Sequence, residues 1–174
     1  TNPYIGKALG DSVGEQGIMS LVFGLHLLNN GYKCDAYSVN GLIDELLSSQ
    51  LADGGFSVMG EYGDVDVTAM TVQALAVHYN NSAVKSAVDD ALDFLSARQL
   101  ENGGYSAYGI ENPESSAQVI IALSSLEINV CNDDRFIKNG NSVFDGMSSF
   151  LLQDGSFCHK EGGTSDVTAT AQVL

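Results

Sequence analysis

The chain has 174 residues, the length of one domain, and 44% of them are hydrophobic, enough to bury a sizeable core. Its 22 acids against 7 bases leave a net charge of −15, a field that repels phosphate backbones and anionic lipid and makes nucleic acid and membrane surfaces poor partners. No apolar run approaches the ~18 residues that span a bilayer, the first residues carry no basic-then-apolar leader, and Cys34, Cys131 and Cys158 lack the CxxC or Cys-x-His spacing of a zinc cluster.

Residues 1–11 read as an irregular lead-in. From Val13 to Leu28 the pattern predicts a helix that is apolar nearly all round, through Ile18, Leu21, Val22, Leu25 and Leu28, stopped by Asn29-Asn30-Gly31. Residues 38–49 predict a helix with one apolar stripe, Leu42, Ile43, Leu46 and Leu47. A second all-round helix opens at Asp66 as N-cap and runs through Val67, Ala69, Val72, Ala74 and Leu75. A second one-sided helix covers 83–98, and a third all-round helix, 113–126, starts with Pro113 at an early helical position. Residues 135–151 predict a third one-sided helix, and a last all-round helix starts near Asp166.

Between these pairs a motif returns. Gln50-Leu51-Ala52-Asp53-Gly54-Gly55-Phe56 recurs as Gln99-Leu100-Glu101-Asn102-Gly103-Gly104-Tyr105 and, eroded, as Leu151-Leu152-Gln153-Asp154-Gly155-Ser156-Phe157. A period near 50 residues marks a stacked or ring-closed repeat architecture. A helix apolar on both sides must be sandwiched, and a one-sided helix must be an outer skin. Residues 1–174 therefore predict a single all-α domain of concentric inner and outer helices, a partial ring of about three and a half helical hairpins. Such an arc exposes apolar surface at its C-terminal edge, so we expect either a missing remainder of the ring or self-association through that edge.

The repeated motifs resemble the Gln-x-x-x-Gly-x-aromatic element of the prenyltransferase and squalene-oxidase repeat, whose members are α/α-toroids. Asp133-Asp134-Arg135-Phe136-Ile137-Lys138-Asn139-Gly140 and Pro113-Glu114-Ser115-Ser116-Ala117-Gln118-Val119 are similar to the version in secreted or surface-attached bacterial proteins. The resemblance implies an extracellular or cell-surface location. It does not choose an activity, because the fold hosts cyclases, prenyltransferases, thioester tethers and cobalamin carriers.

Each of those chemistries needs particular residues. The family's class II cyclases protonate their substrate with an Asp-x-Asp-Asp cluster; here Asp64-Val65-Asp66-Val67 lacks the last carboxylate, which leaves Asp66, assisted by Asp64, as the alternative general acid. The prenyltransferase zinc needs an Asp-x-Cys pair that is absent, and adjacent Cys158 and His159 are poorly placed to share a metal. The thioester needs a cysteine where Ser12-Val13-Gly14-Glu15-Gln16 has Val13. Calcium among Glu61, Asp64 and Asp66 is conceivable, but loop carboxylates on an acidic surface usually bind nothing specific. We therefore expect no cofactor and no metal.

What remains is binding of a small ligand or a protein partner at the end where the inner helices begin. Phe56, Tyr105 and Phe157 either line a cup there or wedge between hairpins. The candidate ligand-binding residues are the ones that do not recur in register: Tyr62, Asp64, Asp66, Tyr108 and His159.

Overall fold

Helical apolar spacing, opened by a capping side chain at the N-terminus of every helix but the first, divides residues 13–174, the part that the computed structural model describes, into seven α-helices. These are α1 (Ile18–Asn29), α2 (Val39–Ser48), α3 (Val65–Leu75), α4 (Ser82–Arg98), α5 (Pro113–Ser125), α6 (Val143–Ser148) and α7 (Val167–Val173). A 3-10 turn, Ala76–His78, continues α3, and another, Asp134–Phe136, precedes α6. Two antiparallel hairpins complete the elements, β1 (Ser106–Ala107) with β2 (Ile110–Glu111) and β3 (Ile137–Lys138) with β4 (Asn141–Ser142).

The helices form two rows. Helices α1, α3, α5 and α7 pack side by side in chain order, and α2, α4 and α6 each pack on the helix that precedes them. Burial follows the same division. Helix α3 hides Val65, Val67, Thr68, Ala69, Thr71, Val72, Ala74 and Leu75, which leaves it almost no solvent face. Helix α4 buries one stripe, including Val84, Val88, Leu92 and Leu95, and leaves Lys85 and Asp93 outside. Small residues let the inner row close up: Ala69 and Ala74 on α3, and Ala117 and Ala122 on α5, are buried. Gln73 Nε2 ties the two helices together, donating to Gln118 O and Oε1 at 3.1 Å each. Leu25, Leu42, Leu46, Leu75, Leu92, Leu95 and Leu123 are wholly buried, each stabilising the fold by about 1.5–3 kcal/mol relative to exposure.

The three motif copies make one joint three times. Leu51, Leu100 and Leu152 N–H donate to the carbonyls of Gly55, Gly104 and Ser156, and Gly54, Gly103 and Gly155 N–H donate back to the leucine carbonyls. The three glycines take φ of +83°, +89° and +84°. Phe56, Tyr105 and Phe157 are buried. Their N–H groups donate to Thr68 Oγ1, Ser116 Oγ and Thr170 Oγ1, at 2.8, 3.1 and 2.9 Å, in the first turn of the next inner helix. The aromatics are wedges rather than the lining of a cup. The glutamines bridge hairpins: Gln50 Nε2 donates to Gly54 O and Ala87 O, and Gln99 Nε2 to Gly103 O and Phe136 O.

Two expected helices are shorter than their patterns. Helix α1 begins at Ile18, not Val13, because Gly14 and Gly17 take φ of +98° and +78° and the chain turns there. Residues 1–12, including the lead-in and Ser12, lie outside the described residues. The stretch 135–151 contains only the six residues of α6, because Asn139-Gly140, with φ of +50° and +84°, folds the preceding segment into the β3–β4 hairpin. That hairpin and β1–β2 are short strands in a chain whose sequence predicts none.

Candidate functional site at the inner-helix N-termini

After each wedge the chain makes a short excursion, then returns to cap an inner helix. Asp64, Asn112 and Asp166 N–H donate to Phe56, Tyr105 and Phe157 O, closing each excursion. The same residues then cap: their Oδ1 atoms accept from Val67, Ser115 and Ala169 N–H at 3.0, 2.8 and 2.8 Å. Three loops, 57–63, 106–111 and 158–165, thus emerge together at the N-terminal end of α3, α5 and α7. The N-cap of α3 is Asp64. Asp66, expected in that role, sits in the first helical turn instead.

Tyr62, Asp64 and Tyr108 meet at one groove. It measures about 400 Å³ and is lined also by Ser57, Val58, Met59 and Val67. Its apolar walls face water: Met59 is 86%, Tyr62 74% and Tyr108 97% exposed. Tyr108 stands at the tip of the β1–β2 hairpin with φ of +51°, followed by Gly109 at +77°. That pair of positive φ values favours Asn-Gly, and a bulky side chain there is disfavoured. A recess of about 200 Å³ on the other side of Tyr108 reaches Arg98, which is already engaged, 3.5 Å from Asp53 Oδ2 and stacked over Phe94 at 4.9 Å.

Asp66 and His159 are not among the residues that line this groove, and His159 meets a residue that the sequence pattern does not single out. Glu114, in the first turn of α5, places Oε1 2.8 Å from His159 Nδ1. Its Oε2, Asp66 Oδ1 and Ser115 Oγ are all buried without a hydrogen-bond partner. Burial pushes the Asp66 carboxyl up. The Ser115 hydroxyl, which approaches without completing a well-formed hydrogen bond, opposes the shift, and the Asp64 and Glu114 carboxylates add to it. The signal for Glu114 was present: it stands two residues after Asn112, as Asp66 stands two after Asp64.

Two larger hollows lie away from this end. One of about 470 Å³, beside the first joint and α4, is lined by Gln50, Asp53, Asp90 and Asp93. Two of its polar groups are in use by the joint, since Asp53 accepts from Gly55 and Gly63 N–H and Gln50 Nε2 donates to Gly54 O. The other, about 550 Å³, lies between Phe23, His26, Leu27, Asn30 and Tyr32 at α1, where burial holds the His26 imidazole below its ordinary range. His78 Nε2 meets Asn29 Oδ1 at 2.7 Å and joins α1 to the end of α3. Among the described residues, no group of three or more His, Cys, Asp or Glu is placed to hold a metal ion, and no helix is long and apolar enough to cross a membrane. No family model matches the chain, and no curated protein does.

Proposed function

We propose that this chain is an arc of an α/α-toroid serving as a binding module of a bacterial secreted or cell-surface protein, with its ligand seated between the hairpin tips. The observation that carries the reading is the groove walled by Tyr62 and Tyr108 over the Asp64 carboxylate. Exposed aromatic rings flanking a carboxylate suit a ligand with a flat or cationic group, through stacking and cation–π contact. The two-row arrangement, the three joints and the shared N-caps support the toroid.

The test is co-purification from the native host. Wild type and a Tyr62→Ala/Tyr108→Ala double variant are isolated in parallel, and retained small molecules and proteins are identified by mass spectrometry. A species held by wild type and lost by the variant supports the reading. Identical retention by both refutes it.

One observation favours a second reading, a terpenoid-cyclase-like enzyme with Asp66 as general acid assisted by Asp64. A raised carboxyl keeps its proton at higher pH, as such an acid requires. Asp66, however, is not among the residues that line the groove, whereas Asp64 and Val67 are. Calorimetry with an azasqualene-type cation mimic decides it, and absence of binding ends it.

A further inference from the structure

This chain holds its own cations in one recurring way, with an aromatic ring on one side and a carboxylate on the other. Lys85 lies over Tyr79 at 4.9 Å and on Asp89 at 2.6 Å. Arg98 lies over Phe94 at 4.9 Å and 3.5 Å from Asp53, and Arg135 lies over Phe136 at 5.6 Å and on Asp133 at 2.8 Å. The groove between the hairpin tips offers the same two components, the rings of Tyr62 and Tyr108 and the Asp64 carboxylate, and no lysine or arginine lines it. Exposed Glu61 stands beside Tyr62, in a chain of net charge −15. Tyr108 is 97% exposed and held at φ of +51°, where a bulky residue is disfavoured. A strained position whose ring packs against nothing in the fold points to a ligand.

The kind of cation follows from the hydrogen bonds already made. Ser57 Oγ donates to Met59 O and accepts from Met59 N–H, and Asp64 Oδ1 is taken by Val67 N–H. Among the described residues, Asp64 Oδ2 is the one carboxylate oxygen of the lining left for a ligand. A primary ammonium carries three donors and a guanidinium five, and either would exchange its water for a single anionic oxygen. A quaternary ammonium has no donor to strand, and its methyl groups suit ring faces, the Met59 thioether and the Val58 side chain.

We propose that the groove binds a small organic cation that carries a quaternary ammonium group and no acid group, with its charged head between Tyr62 and Tyr108 and against Asp64. The inference rests on the groove being the binding site and names the class of its ligand. A phosphate or carboxylate on the same ligand would meet Asp64 and Glu61, which favours a free cation over a zwitterionic headgroup.

Choline chloride titrated into the whole chain tests it, read by NMR at the Tyr62 and Tyr108 rings and the Met59 methyl group. Saturable shifts at these three residues are expected. The alcohol in which carbon replaces the nitrogen of choline keeps the shape without the charge, and should bind about 2- to 30-fold more weakly, the span of a cation–π contact from exposed to desolvated. Ethanolamine and phosphocholine should also bind more weakly than choline. Asp64→Asn keeps the helix cap, because Asn caps as well as Asp, and should weaken choline by up to about 5-fold. Tyr62→Ala/Tyr108→Ala should abolish binding. The proposal is overturned if the uncharged alcohol, ethanolamine or phosphocholine binds as tightly as choline, or if choline binding survives the double variant. Choline that leaves the three residues unshifted, while the double variant still loses a co-purified species, overturns this ligand class and leaves the groove's role standing. Identical retention in the co-purification refutes the groove and this inference with it.

Discussion

Replacing Gly146 with alanine tests the reason for the Gly-Gly pair in the second joint. Gly146 lies in α6, which crosses that joint so closely that a Cβ would stand 2.6 Å from Gly103 C and closer still to Gly104 N and Cα. In an ordinary helix, Gly→Ala stabilises by about 1 kcal/mol. Here every neighbour is backbone, with no flexible side chain to give way, so the overlap belongs at the upper end of the about 1–3 kcal/mol that overpacking costs. The net expectation is a loss of about 2 kcal/mol, or about 4–8 °C in Tm for a chain of this length. Gly155→Ala is the matched control. Gly155 has the left-handed backbone of the joint, φ +84°, yet a Cβ there meets nothing within 4 Å. It should lose only the about 1–2 kcal/mol of backbone strain. Circular dichroism melts of the two variants decide between them: a Gly146→Ala protein as stable as wild type would refute close packing of α6 on the joint.

Gln99→Leu, which imports the residue that the third copy carries at Leu151, should cost about 1–3 kcal/mol by chemical denaturation, because it strands the buried carbonyls of Gly103 and Phe136. Thr68→Val leaves the Phe56 N–H without its acceptor at 2.8 Å, and a similar loss of about 1–3 kcal/mol is expected, with faster exchange of that amide. Tyr108→Asn should raise or leave unchanged the Tm, since Asn tolerates φ of +51° better than Tyr, while abolishing retention of any species that the proposed groove holds. A Tyr108→Asn protein that melts well below wild type would show that the ring is structural.

The two-row architecture was legible because sidedness is a strong signal: α3 has apolar residues all round and α4 has one stripe, and burial follows both patterns. The joints were legible because they repeat. The break inside 135–151 was also written in the chain, as Asn139-Gly140, but apolar spacing at helical period on both sides masked it. The cap of α3 failed for a different reason. Asp66-Val67-Thr68-Ala69 is identical to Asp166-Val167-Thr168-Ala169, which invites a register that is two residues out. The structure aligns Asp64 with Asp166 instead, because Thr68 and Thr170, each four residues later, bind the wedge residue's N–H. Residue identity over four positions loses to the hydrogen bond that fixes the turn. The split of the five candidates, with Tyr62, Asp64 and Tyr108 at the groove and Asp66 and His159 away from it, depends on which way side chains at one helix end point, and a single sequence does not carry that.

The third copy of the motif keeps the residues that make the turn. In the first two joints an outer element lies directly over the glycines: a Cβ on Gly54 would stand 2.6 Å from Asp90 O, one on Gly55 3.0 Å from the Phe94 ring, and one on Gly103 2.9 Å from Ser142 C. At Gly155 nothing approaches. In the third copy Leu151 stands in the place of the Gln, and Ser156, whose Oγ donates to Asp154 Oδ1 at 2.6 Å, stands in the place of the second Gly. The residues kept, Gly155 with its positive φ and the buried Phe157, are the ones that make the turn itself. The proposed binding site therefore rests on positions that the repeat does not fix, the exposed rings of Tyr62 and Tyr108.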